Sequence, residues 1–347
     1  MKKFGKRFVN SIFILLIMFA GIASLSAKPK KPPVVRIGSS SGEGRPFSGL
    51  VALAIDKGFI AEELKKVGYE PEYQTFGNGI AVNEAIISNE LDISVLGDVP
   101  AVTGFSNKIG SVWLGLNVAT NNISIITRKG GDIKSPEDFY GKTVSVSIGT
   151  ASQYTYEKLI EFYHLDKNKF ETANLSAENG IAGFLSGDVD IVFGLSSQLL
   201  PVVARGEADL FFDSAERPEW SYQLLLVGRK KFLDKNQKAA VAFFKSIIRA
   251  REEFKKSPED YYNILAQGTL KENKELGKKL YDFDGGKFEN LKPEITTKNI
   301  EKAQGLYDLL KSLGRTKGDF KVSTVVQNQY YTQARKELQK EGFVVTD

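Results

Sequence analysis

A short phrase that the chain nearly repeats limits its fold more than any other feature. Residues 88–97 read S-N-E-L-D-I-S-V-L-G and residues 186–194 read S-G-D-V-D-I-V-F-G, so Ser88, Asp92 and Ile93 match Ser186, Asp190 and Ile191, 98 residues apart. Each copy has the pattern of a helix end, a tight turn and a short buried strand. Each strand then runs into a polar loop, Gly97-Asp98-Val99-Pro100 in the first copy and Gly194-Leu195-Ser196-Ser197-Gln198 in the second. Two such units predict two α/β lobes facing one cleft, because open α/β sheets take ligands at the carboxyl ends of their strands. Helix–turn–strand punctuation also recurs without a shared role, so the echo speaks to architecture before function.

Periodicity fills in the rest. Strands are expected at Val34 to Gly38, Glu72 to Phe76, Ile93 to Leu96, Trp113 to Asn117, Ser124 to Thr127, Thr143 to Ile148, Ala208 to Phe212 and Tyr222 to Val227. Helices are expected at Gly49 to Asp56, Ala61 to Val67, Ile80 to Ser88, Gln153 to Phe162, Gly180 to Leu185, Leu199 to Arg205, Lys238 to Lys255 and Asn299 to Leu313, with Ser-Pro-Glu-Asp helix starts at Ser135 and Ser257. Strands alternate with helices up to about residue 228 and a helical tail follows, which predicts an α/β chain with mostly parallel sheets. The expected organisation is a leader at 1–27, a linker at 28–34, a first lobe at 35–125, a second at 126–212, and a return to the first lobe with the tail at 213–347.

The leader is expected from Lys2, Lys3, Lys6 and Arg7, the apolar run Ile12 to Ala23, and the small residues ending at Ala27. That is the layout of a secretory signal peptide, and the run is short for a membrane span. The chain has no cysteine, so no lipid anchor, disulfide or thiolate metal site is expected. The formal charge of +5 falls to +1 without the four leader cations, which gives no pull toward nucleic acid or an anionic membrane.

Catalytic chemistry is poorly supplied. His164 is the single histidine, it stands at a helix end, and no Ser–His pair or metal motif can be assembled around it. Acidic neighbours such as Glu62 and Glu63 are adjacent on a helix and do not share a face. No enzyme activity and no cofactor are expected. The loops before helices are better supplied. Ser39, Ser40 and Ser41, then Gly149, Thr150 and Ser152, then Ser196 with Gln198, offer hydroxyls and amides beside free backbone N–H groups, an arrangement that suits an anion. Ordinary helix capping explains any one of these loops; three, each after an expected strand, point to binding. Gly97, Asp98, Asn117, Gln153 and Tyr154 complete the candidate ligand-binding set, Arg45 and Arg128 are candidate counter-charges, and Phe47 and Trp220 are candidate apolar walls.

At these residues the chain resembles the periplasmic solute-binding proteins of ABC importers, in the group handling aliphatic sulfonates, taurine, nitrate and thiamine-precursor pyrimidines. The resemblance runs from about Val35 to Leu226 and rests on Ala54-Ile55-Asp56-Lys57-Gly58-Phe59, Gly97-Asp98-Val99-Pro100, the run Ser135 to Val144, and Gly149-Thr150-Ala151-Ser152. It departs from the group at Leu195-Ser196-Ser197-Gln198, where relatives often carry an acidic, proline-containing loop; this uncharged stretch argues against a strongly cationic solute. The resemblance implies a type II two-lobed fold that closes on a small anionic or zwitterionic solute. It also implies a periplasmic monomer that delivers the solute to a membrane permease and its ATPase. The alternatives it leaves are a pyrimidine-type ligand, or an enzyme or sensor on the same fold.

Overall fold

The computed structural model describes residues 32–40, 47–266, 269–283 and 287–346; the expected leader, most of the linker, Ser41 and Arg45 lie outside them. Among the described residues, ten strands form two five-stranded sheets. The strands are β1 (Val34–Ser39), β2 (Glu70–Thr75), β3 (Ile93–Gly97), β4 (Ser111–Asn121), β5 (Ile123–Arg128), β6 (Thr143–Ser145), β7 (Glu171–Ala173), β8 (Ile191–Leu195), β9 (Ala208–Asp213) and β10 (Tyr222–Arg229). The first sheet has the order β2-β1-β3-β10-β4 and the second β7-β6-β8-β5-β9.

The helices between them are α1 (Gly49–Asp56), α2 (Phe59–Lys66), α3 (Gly79–Ile87), α4 (Asp98–Ser106), α5 (Ala151–Phe162), α6 (Ala177–Ser186) and α7 (Ser196–Ala204). After β10 come α8 (Lys230–Leu233), α9 (Gln237–Lys256), α10 (Pro258–Leu265), α11 (Thr269–Glu272), α12 (Lys274–Phe283), α13 (Thr297–Ser312) and α14 (Gln329–Lys340). The central strands β3 and β10 are buried almost throughout and largely apolar because helices cover both faces of the sheet.

The two sheets are mixed. β1 pairs in parallel with β2 and β3, and β6 with β7 and β8, but β10 is antiparallel to β3 and β4, and β5 to β8 and β9. The reversal follows from the two chain crossings. β5 enters the second sheet at Ile123, beside Leu195 at the end of β8, and β10 enters the first with Leu224 beside Gly97 at the end of β3. A strand arriving at its neighbours' carboxyl ends must run against them.

The echoed phrase does the same work in both sheets. Ser88 and Ser186 each donate a hydroxyl to the carbonyl three residues back, at 3.2 and 3.1 Å. Asn89 (φ 63°) and Gly187 (φ 103°) follow in the left-handed region and turn the chain. Asp92 and Asp190 then pin the next strand: each carboxylate accepts the N–H of Arg36 or Thr143 at 3.0 Å, and each backbone N–H donates to that same residue's carbonyl at 2.9 Å.

Both polar stretches after the echoed strands turn out to be helix, not loop. Asp98-Val99-Pro100 is the first turn of α4 and Ser196-Ser197-Gln198 the first turn of α7. Proline fits at Pro100 because first-turn N–H groups have no partner inside the helix. The Ser135 start makes only a short 3-10 turn, Pro136–Phe139, and β6 stops at Ser145 rather than Ile148.

Candidate functional site

The carboxyl ends of β1, β3 and β8 and the segment beyond β6 each lead toward the start of a helix: α1, α4, α7 and α5. The starts of α5 and α7 belong to the second sheet, yet Ala151, Tyr154 and Leu195 pack against the apolar cluster of the first. Helix α5 of the second sheet also packs on α4 of the first, so the starts of these two helices, whose positive dipole ends favour negative charge, come together.

Asp98 stands at that meeting point, 3 % exposed. Its carboxylate accepts its neighbour's amide, Val99 N–H, at 2.9 Å, and the Gln223 N–H of β10 at 2.9 Å. Burial pushes the Asp98 carboxyl up to about 6, against the pull of the Lys302 cation and of the backbone N–H donors. Tyr154 reaches across from α5, its hydroxyl donating to the Glu219 carbonyl at 3.4 Å, and burial raises its phenol to about 12.

The α5 start is held by its own side chains. Thr150 Oγ1 accepts Ser152 N–H at 3.2 Å and donates to Ser147 O at 2.7 Å, while Gln153 Oε1 accepts Gly149 N–H at 2.9 Å. Ser152 is 5 % exposed and makes no side-chain hydrogen bond among the described residues. At the α7 start, Gln198 Oε1 accepts Leu195 N–H at 3.3 Å. Ser196 is fully buried: its hydroxyl donates to Asp213 Oδ2 at 2.7 Å and meets Ser124 Oγ at 2.8 Å. Ser197, one residue on, is exposed.

Other candidates are spent elsewhere. Asn117 is completely buried and clamps the start of α1, accepting Val51 N–H at 2.9 Å and donating to Ser48 O at 2.8 Å. Ser39 is buried at the end of β1, and Ser40 is half-buried beside it. Arg128 is not at the meeting point. Because β5 is antiparallel to β8, Arg128 lies at the far end of the second sheet, donating to Val189 O at 2.7 Å with its guanidinium 4.7 Å over the Phe184 ring. A depression of about 410 Å³ opens there, lined by Arg128, Lys134, Asp209 and Glu216 among others. Its mixed charges, with Asp209 already accepting Gly130 N–H at 2.8 Å, give no preference for an ion of either sign. Trp220 packs in the aromatic cluster of the second sheet, Phe47 packs edge-on against Tyr73, and His164 is exposed just beyond α5 with φ 52°.

Sequence reasoning missed the parts that come from far along the chain. Asp213, which holds Ser196, is 17 residues beyond it and 89 beyond Ser124. Lys302 sits in the helical tail, which carried no site signal.

Two mixed sheets, two crossings and helix N-termini meeting between them define the periplasmic-binding-protein fold. A periplasmic sulfonate-binding protein SsuA of an ABC transporter from Methylobacillus flagellatus KT superposes with a TM-score of 0.70 at 22 % identity, covering 91 % of this chain and 98 % of that one. The desulfurization enzyme DszB shares the fold with a TM-score of 0.67 at 11 % identity, covering 88 % and 99 %. The chain belongs to the NMT1/THI5-like family, whose sequence profile matches residues 49–261. It is 26 % identical over 200 residues to the taurine-binding periplasmic protein of Escherichia coli (strain K12), a stretch covering 56 % of this chain and 61 % of that relative.

Proposed function

We propose that this chain is an extracytoplasmic solute-binding protein that captures a small anionic or zwitterionic solute, of the sulfonate, taurine or nitrate kind, between its two sheets. The single observation that carries the reading is the packing of α5, from the second sheet, against α4, from the first, with Asp98 buried in the first turn of α4 and Tyr154 half-buried on α5. In this reading residues 35–125 and 213–347 form one lobe and 126–212 the other, and a solute touching both favours the closed arrangement. The backbone amides at Gly97–Asp98 and Gly149–Ser152, the Ser152 hydroxyl and the rim at Ser197 and Gln198 are the contacts assigned to it. Delivery to an ABC permease and its ATPase, export by the N-terminal leader, life as a monomer and binding without catalysis belong to the same proposal; likeness to the taurine-binding relative and the leader pattern support them.

The test is a thermal-shift and calorimetric screen with taurine, alkanesulfonates, nitrate and hydroxymethylpyrimidine. A ligand at 100 times its Kd adds ~2.7 kcal/mol to the folded state, roughly 5–10 °C for a chain of this size. A sulfonate giving that shift with no product by mass spectrometry is the expected result. A pyrimidine shift alone would replace the ligand class, and turnover of any probe would make the chain an enzyme.

A further inference from the structure

Helix α13 lies in the tail, far beyond the last strand in sequence, yet its first turns grip the second crossing. Asn299 Nδ2 donates to Gln223 Oε1 at 2.9 Å, and Gln223 Nε2 returns a bond to Asn299 O at 3.3 Å. The Gln223 N–H is the one held by Asp98. One turn on, Lys302 Nζ donates to Ser221 Oγ at 2.8 Å and to Pro218 O at 3.4 Å. Lys302 is thus tied to the crossing by two neutral acceptors, which cannot balance its charge, while the Asp98 carboxylate holds the same segment two residues on, at Gln223 N–H.

We propose that Lys302 is a positioning residue for the cleft: from the tail helix it fixes the Pro218–Ser221 crossing and supplies the counter-charge of Asp98, so that the floor between the lobes carries a balanced pair rather than a lone carboxylate.

The surrounding charges agree with that division of labour. Lys302 is the cation that pulls the Asp98 carboxyl down against its burial, and Asp98 is the foremost anion holding up a Lys302 ammonium that burial lowers. Lys298, on the same helix, opposes the Lys302 charge, and Glu219 of the crossing supports it. From α5 the Tyr154 phenol faces Asp98 and stays neutral, with its value pushed up to about 12. From β10, Tyr222 brings a ring to within 3.8 Å of where a Gly97 side chain would begin.

The test reads the carbon-13 shift of the Asp98 carboxyl against pH in ligand-free protein, assigned with D98N, so it stands apart from what the cleft binds. Lys302→Met is expected to raise the Asp98 midpoint by about one unit, a tenfold tighter hold on the proton, and Lys302→Arg to restore it. Lys302→Gln keeps donors for Ser221 and Pro218 without the charge; it is expected to match Lys302→Met and decides the matter if that variant does not fold. Asn299→Ala loosens the same crossing with no change of charge and is expected to leave the midpoint in place. An unmoved midpoint in folded Lys302→Gln, or an equal rise in Asn299→Ala, would overturn the proposal.

Discussion

Asp92 and Asp190 perform one backbone task in very different company. Asp92 is 1 % exposed and receives Arg36 Nε and Nη2 at 3.0 Å each, together with the Arg229 guanidinium. Asp190 holds the Thr143 N–H and no cation among the described residues. Removing the shared partner of two partly buried guanidinium groups leaves them unbalanced, so Asp92→Ala is expected to cost about 3 kcal/mol. Asp190→Ala loses a neutral bond and is expected to cost about 1 kcal/mol. Urea unfolding of the two variants checks this; equal losses would mean that the arginines add nothing. The aspartates themselves were legible, because identical spacing in two copies points to identical geometry. Their partners were not, since Arg36 is 56 residues from Asp92 and Arg229 is 137 residues from it. Such pairings exist only once the sheet has formed. The same distance hid Lys302 behind Asp98.

At the scale of elements, the sequence pattern located most strands and helices and misread two helix starts. The α4 segment is D-V-P-A-V-T-G-F-S, rich in valine, threonine, glycine and proline, which are weak helix formers. Seven of its nine residues are buried, so tertiary packing makes a helix that local preference does not announce. α7 is expected only from Leu199, and its first turn, Ser196–Gln198, reads as loop in the sequence; Pro201 sits in its interior. The start of α1 is governed by a different constraint. Gly49 sits at φ 64°, and a side chain there would begin 2.5 Å from Asn117 Nδ2 and 2.6 Å from Val118 Cγ2. Gly58 has a similar φ of 72° with nothing within 4 Å. Gly58→Ala is therefore expected to cost about 1 kcal/mol for conformation alone. Gly49→Ala carries that cost and a further ~2 kcal/mol for crowding the Asn117 clamp. Paired denaturation curves test the difference, and equal midpoints would mean that Asn117 yields freely.

Across the whole molecule, the apolar side chains do not form one continuous core. A large cluster runs through β1, β3, β4, β10, α1 and α9, whereas the second sheet has two smaller ones, around Phe139, Phe193 and Trp220 and around Ile126, Phe184 and Val192. The parts are joined by the two crossings, by Ala151, Tyr154 and Leu195 against the large cluster, and by Leu200 of α7 against Ala266, Leu270 and Leu280. The echo made this two-part plan readable, but the direction of β5 was not, and that direction carried Arg128 to the end of the second sheet opposite the α7 start. At the first crossing Ser214 Oγ accepts Ile123 N–H at 3.0 Å and donates to Asn122 Oδ1 at 3.1 Å. A smaller, divided core opens at lower free energy than a large one. Native-state hydrogen exchange is therefore expected to show β5, β6 and β8 exchanging through a partial opening while β1, β3 and β10 wait for global unfolding. Ser214→Ala leaves the buried Ile123 N–H without that acceptor, a loss of about 1–3 kcal/mol. It is expected to fall on the exchange of the second sheet and to leave the most protected amides of the first nearly unchanged. Uniform protection across both sheets, falling uniformly in Ser214→Ala, would instead make the two sheets one cooperative unit, and closure between them would then require the crossings to bend without either core loosening.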